Sequence, residues 1–334
     1  MPKPVHVAVC SELFSMRQGM TFYETVQALG ELGVDMEMAA FTEGVPVPEI
    51  NNPERVQRRK AMAAHGVTLR GLHWLLAGGD EIFGPDAYHI SGGPHITAAD
   101  APRREQTADY AQQLFRYAEE LRGPDTITGQ EPLVAVWGSP DQRNLEGLTH
   151  EEGVKNAASV LATIASNSNN RTTIAFERLV TKANDPGETD FVYTMDQARY
   201  LIDTARSLAT TDRARQSLRL MVDVKAAVQS GDDPVEKLET PYIIYHIHCQ
   251  DPTSLGPPGW NDKGVFQGPG HYNFEPVVQA AVARANGGDY VCLSMEPFAP
   301  FHQANPGVTP LEAFRQSVTY VKALIKAAGG TPKP

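Results

Sequence analysis

The chain has 334 residues with a formal net charge of −11, and 41% of its residues are hydrophobic. This length accommodates one large α/β barrel or two ordinary domains, and the composition is that of a globular protein with a full core. The acidic charge argues against a nucleic acid partner, because binding to phosphates depends on cationic side chains. No apolar run approaches the ~20 residues of a membrane-spanning helix, which argues against a membrane protein.

The N-terminus and the cysteines both favour a cytoplasmic location. The first residues, MPKPVH, lead directly into a strand-like run without the charged and apolar regions of an export signal. The cysteines, Cys10, Cys249 and Cys292, are odd in number and lack CxxC spacing. We therefore expect small core residues of a reduced protein rather than a disulfide framework.

Short β-branched runs alternate with segments of helical periodicity along the chain. Strands are predicted at 5–10, 34–41, 67–75, 133–136, 172–177, 218–223, 242–248 and 290–296. Helices are predicted between them, as where Phe22, Val26, Leu29 and Leu32 recur at spacings of four and three, and again over 314–324. Eight such units without a linker predict a single (β/α)8 barrel domain over 1–334. A doubly wound sheet is the alternative, but CSELFSMRQG follows the first strand where a GxGxxG motif would stand.

Long segments rich in Pro, Gly and Asn follow the predicted strands at 77–101, 181–194, 251–274 and 297–309. In a (β/α)8 barrel these are the loops over the C-terminal face, where active sites are built. One further insertion, LRGPDTITGQEP, precedes the fourth strand and belongs to the opposite face. We interpret this insertion as surface decoration.

Titratable residues stand where the last four predicted strands end: Glu177, Asp223, His246 with His248, and Glu296. Side chains alternate between the two faces of a strand, so Ala175 shares the face of Glu177 while Phe176 faces the helices. Three carboxylates across one barrel mouth would repel and take up protons unless a cation held them. For any one of these residues, a carboxylate that caps the next helix is the alternative interpretation.

We therefore predict that Glu177, Asp223, His248 and Glu296 hold a divalent metal. This oxygen-rich set suits Mn²⁺, Co²⁺ or Mg²⁺ better than a structural Zn²⁺ site, although Zn²⁺ stays an alternative. In the stretch YHIHCQD, His246 and His248 share a face and His248 lies nearer the rim. We expect His248 to be the ligand and His246 to lie one layer deeper, where it contacts substrate, braces a ligand or is only a hydrogen-bonded core residue.

The sequence resembles the xylose-isomerase-like sugar isomerase and epimerase TIM barrels. The resemblance is carried by GLHWLLAG (71–78), VWGSPDQRN (136–144), AFERL (175–179), VDVKAA (222–227), HIHCQD (246–251) and MEPF (295–298). It implies the same four metal ligands, and it implies that Glu177 and Glu296 also serve as the acid and base on opposite faces of a sugar carbon. Two features depart from ketose 3-epimerases: Ala226 stands where they carry a histidine, and DPTSLGPPG lacks their arginine.

The resemblance implies a metal-dependent isomerase or epimerase that abstracts a proton next to the carbonyl of a keto-sugar, a step in which a metal acts as Lewis acid and template. The alternative is a lyase that shares this step. On this alternative, the chain resembles the catalytic subunit of a C-glycoside deglycosidase, which uses Mn²⁺ and pairs with a small β subunit, or it resembles an inosose dehydratase. An AP-endonuclease-like nuclease or a non-catalytic sugar-binding barrel is a third possibility. The expected partners are a sugar or glycoside substrate and either a small β subunit or a homo-oligomer.

Further residues near the predicted rim are candidates for contact with the substrate: His73, Trp74, Trp137, Lys225, His246 and His302, with Trp260 and Arg143 as weaker ones. A tryptophan at a strand end could stack on a sugar, although any single tryptophan is as well explained by the core. Because His73 and Trp74 are adjacent, only one of them can face into the barrel. Lys225 could stabilise a substrate oxygen or be a solvated lysine at the rim.

Overall fold

Eight parallel strands pair in sequence order, and the eighth pairs with the first, so the sheet closes into a barrel. This computed structural model describes residues 2–11, 20–42, 45–46, 49–73, 94–122, 131–137, 145, 147–167, 172–178, 192–252, 272–296 and 310–333. The barrel strands are β1 (Val5–Cys10), β2 (Asp35–Ala39), β3 (Leu69–His73), β4 (Leu133–Trp137), β5 (Thr172–Phe176), β6 (Leu218–Asp223), β7 (Ile243–Cys249) and β8 (Val291–Met295). The predicted (β/α)8 barrel is confirmed.

Helices surround the barrel between its strands. They are α1 (Phe22–Leu32), α2 (Asn52–Ala64), α3 (Ala101–Arg122), α4 (His150–Asn167), α5 (Met195–Leu208), α6 (Asp212–Ser217), α7 (Val224–Gln229), α8 (Pro234–Lys237), α9 (Glu275–Asn286) and α10 (Pro310–Ala327). Local sequence sets their ends: α1 begins at a capping box between Thr21 and Glu24 and ends at Gly33 in the left-handed region, at φ 63°. Within the described part of the chain, none of the helices is long and apolar enough to cross a membrane.

Two short features were not predicted from the sequence. Phe41–Thr42 and Val45–Pro46 form a small antiparallel ribbon after β2. Near the C-terminus, Pro332–Lys333 adds a parallel strand beside β1. Both are too short to show a periodicity of two, which explains why the pattern of the sequence does not reveal them.

The strands separate two apolar layers. The larger layer lies between strands and helices and includes Phe176 and Leu293, whereas a smaller cluster in the barrel interior contains Val134, Val136, Ala175 and Met221. The alternation predicted for β5 is therefore confirmed. The three cysteines are buried and form no disulfide with one another, also as predicted.

A buried ionic network lies at the N-terminal ends of the strands, and we call it the floor of the barrel. Its members are His6, Asp35, Arg70, Arg122 and Glu131. The Nε of Arg70 lies 2.6 Å from Oδ2 of Asp35, and Arg70 also pairs with Glu131. The Nε2 of His6 lies 3.2 Å from Oε1 of Glu131, whose carbonyl oxygen accepts a hydrogen bond from Arg122.

This network corrects one interpretation. Arg122 and Glu131 lie near the two ends of the insertion LRGPDTITGQEP, which was expected to be surface decoration. Arg122 and Glu131 lie on the expected face and contribute charges to the floor, while 123–130 lie outside the described residues. Burial would lower the pKa of Arg70, yet the neighbouring Asp35 and Glu131 outweigh burial and raise it.

Candidate metal centre

Four side chains converge at the C-terminal ends of four consecutive strands. Glu177 follows β5 directly, Asp223 is the last residue of β6, His248 is the second-last of β7, and Glu296 follows β8. Each offers one ligand atom, these atoms all lie within 4.8 Å of one another, and all four residues are buried. The structure thus brings together the four residues that the sequence predicts as metal ligands, and we call them the mouth cluster.

His248 stands at the centre of the mouth cluster. Its Nδ1 lies 2.8 Å from Oε1 of Glu177 and 2.9 Å from Oε2 of Glu296. Asp223 has a second role, because its Oδ1 accepts a hydrogen bond from the amide of Ala226 and caps α7. The helix-capping alternative therefore applies to Asp223, and it does so without removing that residue from the cluster.

Burial and neighbouring charges shift the pKa values of three residues of the mouth cluster. Burial and the neighbouring Glu177 and Glu296 raise the pKa of Asp223 to about 8. Burial would lower the pKa of His248, but the surrounding carboxylates, Glu296 first, raise it well above its ordinary value. Burial would raise the pKa of Glu296, but the neighbouring rings of His73 and His248 outweigh burial and lower it. Three buried carboxylates and one imidazole are a donor set that a divalent cation fits, because its charge replaces protons the cluster would otherwise hold.

Glu37 of β2 is a buried member of the site that the sequence analysis missed. Its Oε1 lies 2.9 Å from Nε2 of His248, and its Oε2 lies 2.6 Å from Nε2 of His246. Burial would raise the pKa of Glu37, but the two histidines outweigh burial and hold it well below its ordinary value. The signal was present, because Asp35 and Glu37 alternate with the apolar Met36 and Met38 and so share the inner face of β2.

His246 lies one layer below His248, as expected from their order along the strand. Its ring has no exposed surface and contacts Glu37 and the hydroxyl of Tyr290, 3.4 Å from Nδ1. Of the three interpretations for His246, contact with the residue that holds His248 fits this position better than contact with a substrate.

Glu296 is held from both sides. The Nε2 of His73 lies 2.8 Å from its Oε1, and the amide of Gln250 donates a hydrogen bond to its Oε2. His73 is thus the inward residue of its pair with Trp74, and Trp74 itself lies outside the described residues. Gln250 was not predicted as a site residue, because a glutamine at a strand end carries no distinctive signal.

The remaining predicted substrate contacts are distributed differently. Trp137 is 1% exposed and packs in the layer between strands and helices, so we assign it to the core instead of the substrate site. Lys225 lies in the first turn of α7, next to Asp223, and its role stays a prediction. His302, Trp260 and Arg143 lie outside the described residues.

Asp251, the carboxylate that ends the histidine motif, does not join the mouth cluster. It is fully buried, and both of its oxygens lie 3.2 Å from the backbone N–H of Tyr272. Asp251 therefore ties together the two chain segments that flank 253–271.

Comparisons with known proteins agree with this architecture. A D-psicose 3-epimerase solved in the presence of D-fructose has a TM-score of 0.66 at 13% identity, covering 96% of this chain and 99% of that one. A D-allulose 3-epimerase from Methylomonas sp. has a TM-score of 0.65 at 12% identity, with 97% and 99% covered. A probable 3-DHS dehydratase from Bacillus anthracis has a TM-score of 0.57 at 13% identity, with the same coverage.

These likenesses concern the fold. A search of curated protein sequences finds no match. Residues 26–324 match the family described as the xylose isomerase-like TIM barrel. Since this match covers most of the chain, the protein belongs to the xylose isomerase-like TIM-barrel family.

Proposed function

We propose that the protein is a divalent-metal-dependent sugar isomerase or epimerase that moves a proton at the carbon next to a carbonyl group. One observation carries the proposal: the ligand atoms of Glu177, Asp223, His248 and Glu296 lie within 4.8 Å of one another at the barrel mouth. Active sites of (β/α)8 enzymes are built at this face. Two of the similar structures are a D-psicose 3-epimerase and a D-allulose 3-epimerase, which supports a sugar as the substrate class.

The same four residues would hold the metal. Three carboxylates and one imidazole favour Mn²⁺, with Co²⁺, Mg²⁺ and Zn²⁺ as alternatives. When bound, a divalent cation supplies Lewis-acid polarisation of the carbonyl and a template for neighbouring sugar oxygens.

The glutamates supply the proton transfers. We assign Glu177 and Glu296 as the pair that removes a proton from one face of the sugar carbon and returns one to the other. His73 and Gln250 contact the two oxygens of Glu296, so this carboxylate enters the reaction in one orientation. General acid–base assistance of this kind is worth a factor of roughly 10²–10⁴ in rate.

The test begins with metal removal. Protein stripped with EDTA is expected to lose its activity on a panel of keto-sugars, and Mn²⁺, Co²⁺ or Mg²⁺ to restore it. Metal content per mole of His248→Ala and His246→Ala then checks the ligand assignment, with loss expected in the first and retention in the second. Full activity in the stripped protein would contradict the metal site.

Label from solvent tests the proton transfer itself. In D₂O the wild-type protein is expected to bring deuterium into the carbon next to the carbonyl during turnover, as measured by mass spectrometry. Conversion without any label in that carbon would rule out the two-carboxylate route and leave the metal site standing.

A lyase is the second candidate, and the likeness to the probable 3-DHS dehydratase favours it. The first proton abstraction is shared, and the outcome differs: a lyase such as a C-glycoside deglycosidase or an inosose dehydratase releases an aglycone or water instead of an epimer. The same screen with 3-oxo-glycosides and C-glycosides separates the two. A deglycosidase would also require a small partner subunit, so activity of the isolated chain on free sugars favours the isomerase.

A further inference from the structure

The side chain of Glu37 bridges two histidines in the barrel interior. Glu37, His246 and His248 all have no exposed surface. The two carboxylate oxygens of Glu37 lie 2.6 Å and 2.9 Å from the Nε2 atoms of His246 and His248. A carboxylate in this position is costly to bury, and its contacts with the two histidines compensate for that cost.

We propose that Glu37 is the positioning residue of the metal centre, fixing the tautomer and the ring orientation of His248 so that Nδ1 faces the other three ligands. This inference rests on the proposed metal site and adds a residue that acts on the metal only through His248. Glu37 belongs to a strand that contributes no ligand to the mouth cluster.

Hydrogen-bond chemistry supports the assignment. An ionised carboxylate only accepts hydrogen bonds, so both Nε2 atoms that face Glu37 carry a proton. A neutral His248 that carries its proton on Nε2 has its free lone pair on Nδ1. That atom lies 2.8 Å from Glu177 and 2.9 Å from Glu296, at the centre of the mouth cluster. A metal-ligating imidazole whose second nitrogen donates to a carboxylate is held in one orientation and is a more basic ligand.

The neighbouring strand makes room for this carboxylate. Gly71 of β3 pairs in register with Glu37. A Cβ at position 71 would lie 3.1 Å and 3.2 Å from Cγ and Cδ of Glu37, and 3.2 Å from Cε1 of His246. A side chain at this position would require Glu37 and His246 to shift by a few tenths of an ångström, so the glycine leaves room for the bridge between the two histidines.

Three variants test the proposal by metal binding. Glu37→Gln keeps the shape of the side chain but replaces one acceptor oxygen with an amide NH₂ group. This donor would face the N–H donor of one histidine ring, so one of the two hydrogen bonds would be lost. We expect Mn²⁺ affinity, measured by calorimetry, to fall about 10- to 100-fold, the usual effect of removing such a partner. Gly71→Ala pushes on Glu37 without touching His248 and is expected to weaken binding less.

The matched control is Asp35→Asn on the same strand and face. Asp35 pairs with Arg70 at the floor and lies away from the mouth cluster. This variant is expected to lower thermal stability while the Mn²⁺ affinity of its folded form stays that of the wild type. A change in affinity as large as that of Glu37→Gln would mean that any loss of a buried carboxylate loosens the site, and the proposal would fail.

Two spectroscopic readouts separate positioning from a merely structural role. Absorption of the Co²⁺-loaded protein reports the ligand field, and we expect a changed spectrum in Glu37→Gln. In ¹⁵N-histidine NMR of the metal-free wild-type protein, we expect one-bond N–H coupling at Nε2 of His248. This second measurement needs no variant to fold.

The outcomes distinguish this inference from the proposed function. If the wild-type protein binds no divalent metal, the metal centre itself is wrong. If it binds Mn²⁺ and Glu37→Gln matches it in affinity and Co²⁺ spectrum, the positioning role alone is overturned. A proton on Nδ1 of His248 in the metal-free protein, with Nε2 bare, would overturn it as well.

Discussion

At the floor of the barrel, Asp35 and Glu131 meet the guanidinium group of Arg70, whereas at the mouth Glu177 and Glu296 meet imidazole rings. Both ends bury carboxylates that are expensive to remove from water. The floor supplies permanent positive charge from the chain itself, because arginine stays protonated at all relevant pH values. At the mouth, positive charge depends on protons, and a cation can replace them.

This difference separates stability from function. At the floor, the charged groups pair with one another within the chain, and these pairs hold the strand ends together. At the mouth, burial and the neighbouring carboxylates raise the pKa of Asp223 to about 8, and shifts of this kind are typical of functional sites. We therefore expect substitutions at the floor to change stability and substitutions at the mouth to change metal binding and turnover.

The largest expected effect is at the mouth. Glu177→Gln and Glu296→Gln each keep an oxygen that can coordinate metal but cannot carry a proton. Turnover is expected to fall by a factor of about 10²–10⁴, while thermal unfolding stays close to that of the wild type. Metal content per mole is the control, since a variant that loses its metal would explain lost turnover by ligation alone. Turnover near the wild-type level would remove these residues from the chemistry.

At the floor, the expected effect is on stability. Arg70→Met leaves the buried Asp35 without its guanidinium partner, and such a loss costs about 3–5 kcal/mol. The double variant Arg70→Met with Asp35→Asn is expected to recover part of that cost, because it removes one of the stranded charges. Urea unfolding measures both. If Arg70→Met instead alters the Mn²⁺ dissociation constant of the folded protein, the two ends are coupled and the comparison breaks down.

Metal should stabilise the fold only through the mouth. A ligand at 100 times its dissociation constant adds about 2.7 kcal/mol to the free energy of unfolding. We expect a matching rise in melting temperature on adding Mn²⁺ to the stripped wild type and to Arg70→Met, and little rise in His248→Ala. Calorimetric melting curves with and without metal provide the measurement. Equal stabilisation of His248→Ala would place the bound ion elsewhere.

The smallest expected effect concerns acid at the floor. The hydrogen bond with His6 and the charge of Arg70 lower the pKa of Glu131 below its ordinary 4.5. Its stabilisation is therefore present above pH 4.5 and is lost as the pH falls toward the folded-state pKa. Glu131→Gln should lose less stability on acidification than the wild type, by under about 1 kcal/mol because Glu131 is partly exposed. The exposed Glu31→Gln is the control, and identical acid profiles for wild type and Glu131→Gln would contradict the assignment.

Local pattern was sufficient to predict the barrel and the mouth cluster. Strand–helix alternation gave the eight units, and the period of two placed Glu177, Asp223, His248 and Glu296 at strand ends on the inner face. Because parallel strands end at the same edge of the sheet, residues far apart in sequence could be predicted to lie close together. The alternation of polar and apolar residues in β2 likewise places Glu37 on the inner face.

Other features depend on register and distance, which a single sequence does not reveal. The bridge from Glu37 to His246 and His248 requires β2 and β7 to face one another across the interior at a particular depth. The contribution of Glu131 to the floor depends on its position beside Arg70 and Arg122, which the sequence pattern does not reveal. Trp137 stands at a strand end like the residues of the mouth cluster. Its side chain lies on the outer face of the sheet and packs against the helices.

Gly71 has a consequence for anyone who wishes to transplant this centre into another (β/α)8 scaffold. The four residues of the mouth cluster look like a complete specification, and a scaffold strand can usually tolerate an alanine in place of a glycine. Here a single added methyl group would come within 3.1–3.2 Å of Glu37 and His246. On the role proposed for Glu37, a graft must therefore carry Glu37, His246 and the glycine at position 71 as well as the four residues of the mouth cluster. A design that copies only those four would leave Nε2 of His248 without its carboxylate partner.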